Sequence, residues 1–62
     1  MRIKKIIGLD GLTLIVYYTD GKCWQFAIIK KDGQLYQPQG IFYTADGAEN
    51  EGRKWLFELK NS

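Results

Sequence analysis

The sequence predicts an α+β domain, in which an antiparallel meander of three to four strands packs one face against a C-terminal α-helix. Two observations lead to this fold class. Asp-Gly occurs four times, and three of these pairs separate runs rich in Ile, Val, Tyr and Phe. Asp-Gly accepts the positive φ angles of tight hairpin turns. The last third of the chain instead spaces its apolar residues at helical period, so the predicted element order is β-β-β-(β)-α.

The Asp-Gly pairs set the bounds of the predicted strands. Turns at residues 10–11, 20–21 and 32–33 leave strands at residues 2–9, 12–19, 22–31 and 34–37. Pro38 cannot donate a hydrogen bond to a sheet, so it interrupts the ladder. We expect a short edge strand at residues 41–43 to follow it.

The predicted helix begins near Asp46, where Asp46 as N-cap and Glu49 three residues later match a capping box. Thr44 is an alternative N-cap. One apolar stripe then runs along the helix, formed by Ala48, Gly52, Trp55, Leu56 and Leu59. Glycine inside a helix costs about 1 kcal/mol relative to alanine. We therefore expect the helix backbone to cross close over the sheet at Gly52.

Length and composition predict one domain, residues 1–62, and limit the classes of function. The net charge of +2 does not by itself indicate a nucleic-acid partner. One cysteine and no histidine exclude an internal disulfide and leave no zinc or iron–sulfur ligand set. No cofactor is expected, and a reducing cytoplasm fits this cysteine usage. No apolar run is long enough for a signal peptide or a membrane span.

The acidic residues and the cysteine do not suggest catalysis. Four of the seven acidic residues belong to Asp-Gly pairs, and the other three lie on the predicted helix with capping or ion-pairing roles. Cys23 has no histidine to activate it and falls on the predicted core face. We expect a chain that is not an enzyme and has no small-molecule substrate.

The predicted faces of the sheet follow from the register that two-residue turns impose. A two-residue loop at Asp20-Gly21 places Tyr17 opposite Trp24 and turns both away from the helix. The predicted binding face carries three aromatic side chains within a ring of basic ones: Tyr17, Trp24, Phe26, Arg2, Lys4, Lys22 and Lys30. The opposite, aliphatic face would form the core beneath the helix.

This aromatic–basic face has several interpretations. Aromatic side chains ringed by charge are typical of protein interfaces, so the leading hypothesis is a protein partner or another copy of the chain. Nucleic-acid binding is an alternative, with cations on phosphates and rings stacked on bases. A third hypothesis is that the chain is an accessory subunit of a larger assembly. Residues 38–43 could also fold over this face and form a second small core.

Three segments resemble the arm-type DNA-binding domains of phage integrases and, more loosely, the AP2 domain. They are residues 21–26 (Gly-Lys-Cys-Trp-Gln-Phe), 40–44 (Gly-Ile-Phe-Tyr-Thr) and 48–55, within a match over about residues 12–58. In those families a three-stranded sheet enters the DNA major groove with the face away from its helix. The resemblance implies duplex DNA binding and places on that face Arg2, Lys4, Tyr17, Lys22, Trp24 and Lys30.

Overall fold

Four antiparallel strands form one sheet, and a single helix follows them in the computed structural model, which describes residues 2–21, 23–38 and 40–61. The elements are β1 (Arg2–Leu9), β2 (Leu12–Tyr18), β3 (Trp24–Ile29), β4 (Leu35–Tyr36) and α1 (Ala45–Lys60). The strands lie in the order β1-β2-β3-β4, so each hairpin joins neighbours. The predicted α+β meander with a C-terminal helix is confirmed.

The three hairpin turns are not alike. Leu9 pairs with Leu12 across Asp10 (φ 50°) and Gly11 (φ 82°), which confirms the predicted two-residue turn. The second turn is one residue longer, because the Thr19 N–H donates to the Cys23 carbonyl at 2.9 Å.

The third turn is longer in the same way. The Lys30 N–H donates to the Gln34 carbonyl at 2.7 Å, and the Gly33 N–H donates back to the Lys30 carbonyl at 2.9 Å. Gly33 has φ 92°, as the last residue of a three-residue hairpin loop requires. Two of the three predicted turn lengths were therefore wrong.

The longer second turn moves β3 by one residue against β2. Val16 pairs with Phe26 and Tyr18 with Trp24, so the predicted pairing of Tyr17 with Trp24 was wrong. A one-residue shift turns every side chain of a strand to the opposite face. The longer third turn shifts β4 by one further residue relative to β3. The two one-residue shifts together return β4 to its predicted face, so Tyr36 lies on the helix side, as predicted.

The helix begins at the alternative N-cap. The Thr44 side-chain Oγ1 accepts a hydrogen bond from the Gly47 N–H at 3.0 Å, while Asp46 lies in the first turn. The close crossing at Gly52 is confirmed, because a Cβ there would lie 2.7 Å from Leu14 Cδ1. The buried core lies between the helix and the sheet and consists of Leu12, Leu14, Val16, Phe26, Ile28, Ala48 and Leu56.

The helix covers β2 and β3 and leaves β1 outside. A helix is about 10–12 Å wide, whereas neighbouring strands are about 4.8 Å apart, so one helix covers roughly two strands. Two ion pairs connect the β1 hairpin to the helix: Lys5 Nζ lies 3.4 Å from Glu49 Oε1, and Lys60 Nζ lies 3.4 Å from Asp10 Oδ2. β1 is therefore attached through its pairing with β2, through Ile7, which packs against the core, and by charges at the surface.

The segment between β4 and α1 runs along the outer edge of β3. Phe42 exchanges backbone hydrogen bonds of 2.7 and 3.1 Å with Trp24, as an isolated bridge in place of the strand predicted at residues 41–43. Pro38 and Gly40 lie in the loop before this bridge. Among the described residues, no helix has the length and apolar character needed to cross a membrane.

Candidate interaction surface

The face of the sheet away from the helix, called here the helix-free face, follows from the strand registers. In β2, Leu14 and Val16 point into the core, so the alternate residues point away. Pairing extends this set across the sheet. The helix-free face consists of Ile3, Ile6, Gly8, Thr13, Ile15, Tyr17, Gln25, Ala27, Ile29 and Leu35. None of these ten residues carries a charge.

The predicted aromatic cluster does not form on this face. Phe26 is 1% exposed in the core, so its prediction as an exposed residue was wrong. Trp24 is half-buried on the helix side, where its ring meets Tyr18 edge-on at 5.0 Å and 61°. Tyr17 does lie on the helix-free face, but it is only 6% exposed.

The predicted basic ring is dispersed as well. Arg2 pairs with Tyr18, which turns it toward the helix side. Lys30 lies beside Leu12 and the C-terminal half of the helix. Lys4 is exposed at a bulge in β1, where the register shifts between Ile3 and Lys5. Lys22 lies outside the described residues.

An aliphatic surface takes the place of the aromatic one. Ile3, Ile6 and Leu35 are 52%, 61% and 59% exposed, and Ile15 and Ile29 between them are half-buried. The sequence contained a signal for this arrangement. In β3 one set of alternate side chains is Trp24, Phe26 and Ile28, and the other is Gln25, Ala27 and Ile29. The first set carries more apolar surface, so it gains more free energy from burial beneath the helix.

Polar groups occupy one end of the helix-free face. The Tyr17 hydroxyl donates to Gln25 Oε1 at 3.1 Å and accepts from Gln37 Nε2 at 2.6 Å. Gln25, Gln37, Pro38 and Ile41 line a shallow concavity of about 480 Å³ beside this network. Gln37, Pro38 and Ile41 therefore cover only the Tyr17 end of the face and leave its aliphatic part open.

A cluster of charged residues lies on the helix side of the sheet. Glu49 receives a 2.8 Å hydrogen bond from Arg53 Nε and lies 3.4 Å from Lys5 Nζ. The Arg53 hydrogen bond, together with Lys5, lowers the pKa of the Glu49 carboxyl below its ordinary value. This cluster links β1 to the helix, and its members are surface residues.

The described residues form no cluster of three or more metal-ligating side chains. Cys23 is half-buried beside the second turn, with its Sγ 3.0 Å from Thr19 Oγ1, so its predicted core position was wrong. The backbone and side chain of Cys23 both contact Thr19, so Cys23 serves as a structural residue of the turn.

The three comparisons with known proteins give no relative. No protein-family model matches the sequence, and neither a curated protein nor a solved structure matches it.

Proposed function

We propose that this chain is a non-catalytic interaction module of the cytoplasm, whose helix-free face binds an apolar surface of a partner protein. The observation that supports the proposal is the exposure of Ile3, Ile6 and Leu35 on one uncharged face. A contiguous exposed apolar surface on a small domain is typical of an interaction site. A role as an accessory subunit of an assembly is compatible with this use.

The absence of charge on this face defines the chemistry of the partner. A charged group brought against it would lose its hydration without gaining a counter-ion, which is unfavourable. Phosphates of a nucleic acid would find no cation among the ten residues of the helix-free face. An apolar protein surface meets neither difficulty, so the proposal favours protein over DNA or RNA.

The energetics favour a partner that covers most of the face. Fully burying one Ile or Leu side chain contributes about 1.5–3 kcal/mol. Ile3, Ile6 and Leu35 are each only about half exposed in the single chain, so a partner can bury about half of each side chain. Together they contribute roughly 3 kcal/mol, which is less than the entropic cost of association. The partner must therefore also bury the remaining exposed parts of Ile15 and Ile29, and the concavity beside Gln25 offers a site for an anchoring side chain.

Site-specific photo-crosslinking in the cells that produce the chain tests the proposal. A photoreactive residue at Leu35 should form a discrete protein adduct, identified by mass spectrometry. The same residue at Lys54, exposed on the outer side of the helix, is the matched control and should form none. Ile3→Glu, 52% exposed and on the same face, should abolish the Leu35 adduct without unfolding the chain.

Other outcomes would contradict the proposal. An equal yield at Leu35 and Lys54 would indicate random collision. A nucleic-acid adduct at Leu35, lost at high salt, would favour nucleic-acid binding instead. An adduct that survives Ile3→Glu unchanged would mean that this face is not the binding surface.

A further inference from the structure

We infer that the outer edge of β1 pairs antiparallel with β1 of a second copy, which joins two four-stranded sheets into one sheet of eight strands. This inference concerns the edge of the sheet and goes beyond the proposed use of the helix-free face. Among the described strands β1 pairs only with β2. Seven of its eight residues are exposed, Ile7 being half-buried.

The first hairpin decides which backbone groups of β1 point outward. In a two-residue hairpin the residues that flank the turn form a hydrogen-bonded pair, and hydrogen-bonded pairs alternate with open ones. Leu9 pairs with Leu12 and Ile7 with Leu14, so their N–H and C=O groups point toward β2. The N–H and C=O groups of Ile6 and Gly8 consequently point away from the sheet.

The bulge and the lysines restrict where a second strand can pair. The register shift between Ile3 and Lys5 interrupts the edge, and lysines on an edge oppose pairing with another strand. Residues 6–9 contain neither a bulge nor a charge. Pairing is therefore confined to the half of β1 next to the turn.

One register matches both shape and charge. A two-fold axis at Ile7 places Ile6 opposite Gly8 of the second copy, so that two sets of outward N–H and C=O groups form hydrogen bonds. Gly8 has no side chain, and a Cβ built on it would meet no atom within 4 Å. This space leaves room for the Ile6 side chain of the second copy, which is 61% exposed in the single chain. The same register places Lys4 opposite Asp10 of the second copy.

Neighbouring registers are less favourable. An axis at Ile6 would extend the pairing through the bulge at Lys4. An axis at Gly8 would shorten the paired segment and leave Lys4 without its acidic partner.

In the favoured register, with the axis at Ile7, Asp10 is open to Lys4 of the second copy. The Asp10 side chain is 59% exposed beside Lys60, so a second cation can approach it.

The two-fold arrangement closes on itself, because each copy uses its β1 edge once. Both helices lie on one side of the eight-stranded sheet. The two helix-free faces become one continuous surface, with Ile6 of each copy at the seam.

Amide hydrogen exchange and sedimentation of the intact chain, over a range of concentrations, test the inference. The mass should change from one copy to two as concentration rises. The amides of Ile6 and Gly8 should become protected in parallel with the mass, whereas those of Ile7 and Leu9, which already bond to β2, should change little.

Gly8→Pro removes one outward N–H from an edge strand, a position that tolerates proline. It should weaken the dimer at least about tenfold, because two symmetry-related hydrogen bonds are lost. Leu35→Glu lies on the opposite edge of the same sheet and should leave the dimer unchanged while it abolishes partner binding at the helix-free face. This contrast separates failure of the inference from failure of the proposed function.

A single-copy mass at all concentrations, with fast exchange at Ile6 and Gly8, would overturn the inference. A dimer that survives Gly8→Pro but is lost in Leu35→Glu would overturn it as well, and would assign self-association to the helix-free face.

Discussion

β1 and β3 both carry large apolar side chains, yet the fold uses them in opposite ways. In β3, Phe26 and Ile28 are 1% and 0% exposed and form the centre of the core. In β1, Ile3 and Ile6 are 52% and 61% exposed. The difference arises from the width of the helix, which covers two strands of a four-stranded sheet.

This comparison separates residues that stabilise the fold from residues that are available to a partner. The apolar content of β3 is used within the chain. Ile3 and Ile6 of β1, together with Leu35 in β4, remain at the surface, whereas Ile7 packs against the core. A binding surface in so small a domain is therefore expected where the single helix does not reach.

The largest expected effect comes from truncating one residue in each strand. Phe26→Ala should lower the free energy of unfolding by about 3–5 kcal/mol, because it leaves a cavity in the core. Ile6→Ala, the matched change in β1, should cost less than about 1 kcal/mol. Urea unfolding monitored by circular dichroism measures both. Similar losses in the two variants would contradict the distinction between these strands.

A pair of glycines sharpens the comparison. Gly52→Ala should destabilise the fold by about 1–3 kcal/mol, because the new Cβ would lie 2.7 Å from Leu14 Cδ1. Gly8→Ala in β1 meets no atom within 4 Å and should stabilise by up to about 1 kcal/mol, since alanine loses less backbone entropy. Thermal unfolding of both variants measures the change in stability, which should be negative for Gly52→Ala and positive for Gly8→Ala. Stabilisation by Gly52→Ala would mean that the helix does not cross close to β2.

The smallest effect concerns the ion pair between β1 and the helix. The pKa of Glu49 is lowered in the folded chain, chiefly by Arg53 and also by Lys5. The stabilisation is therefore fully present above the ordinary pKa of 4.5 and is lost as the pH falls through the lower folded value.

Below that pH we expect faster amide exchange in β1 and little change in β3, measured by NMR after allowance for the intrinsic pH dependence of exchange. Glu49→Gln is the control, because it removes the titration while keeping the side-chain size. If Glu49→Gln showed the same acid response in β1 as the unaltered chain, the effect would have to come from other carboxyl groups.

The fold class could be predicted because it depends on signals that are local in sequence. The two-residue turn at Asp10-Gly11, the apolar stripe of the helix and the close crossing at Gly52 all follow from spacing and residue type. None of them requires knowledge of which side of a strand faces the core.

The candidate site could not be predicted in the same way, because it depends on a register. Asp20-Gly21 predicts a two-residue turn as well as Asp10-Gly11 does, and the extra residue in the second loop is not evident from the dipeptide. That one residue moved Trp24 and Phe26 from the predicted binding face to the helix side. The alternation of large and small side chains around Ala27 favours the observed register, and it should outweigh the turn motif where the two disagree.

The measurement that tests this register most directly compares Ile28 with Ile29, which are adjacent in sequence and lie on opposite faces of β3. A soluble paramagnetic chelate broadens methyl NMR signals according to their exposure, and a dilute sample keeps the chain in one copy. We expect strong broadening for Ile6 and Leu35, intermediate broadening for the half-buried Ile29 on the same face, and almost none for the fully buried Ile28. Stronger broadening of Ile28 than of Ile29 would contradict the account and restore the aromatic side chains of β3 to the helix-free face.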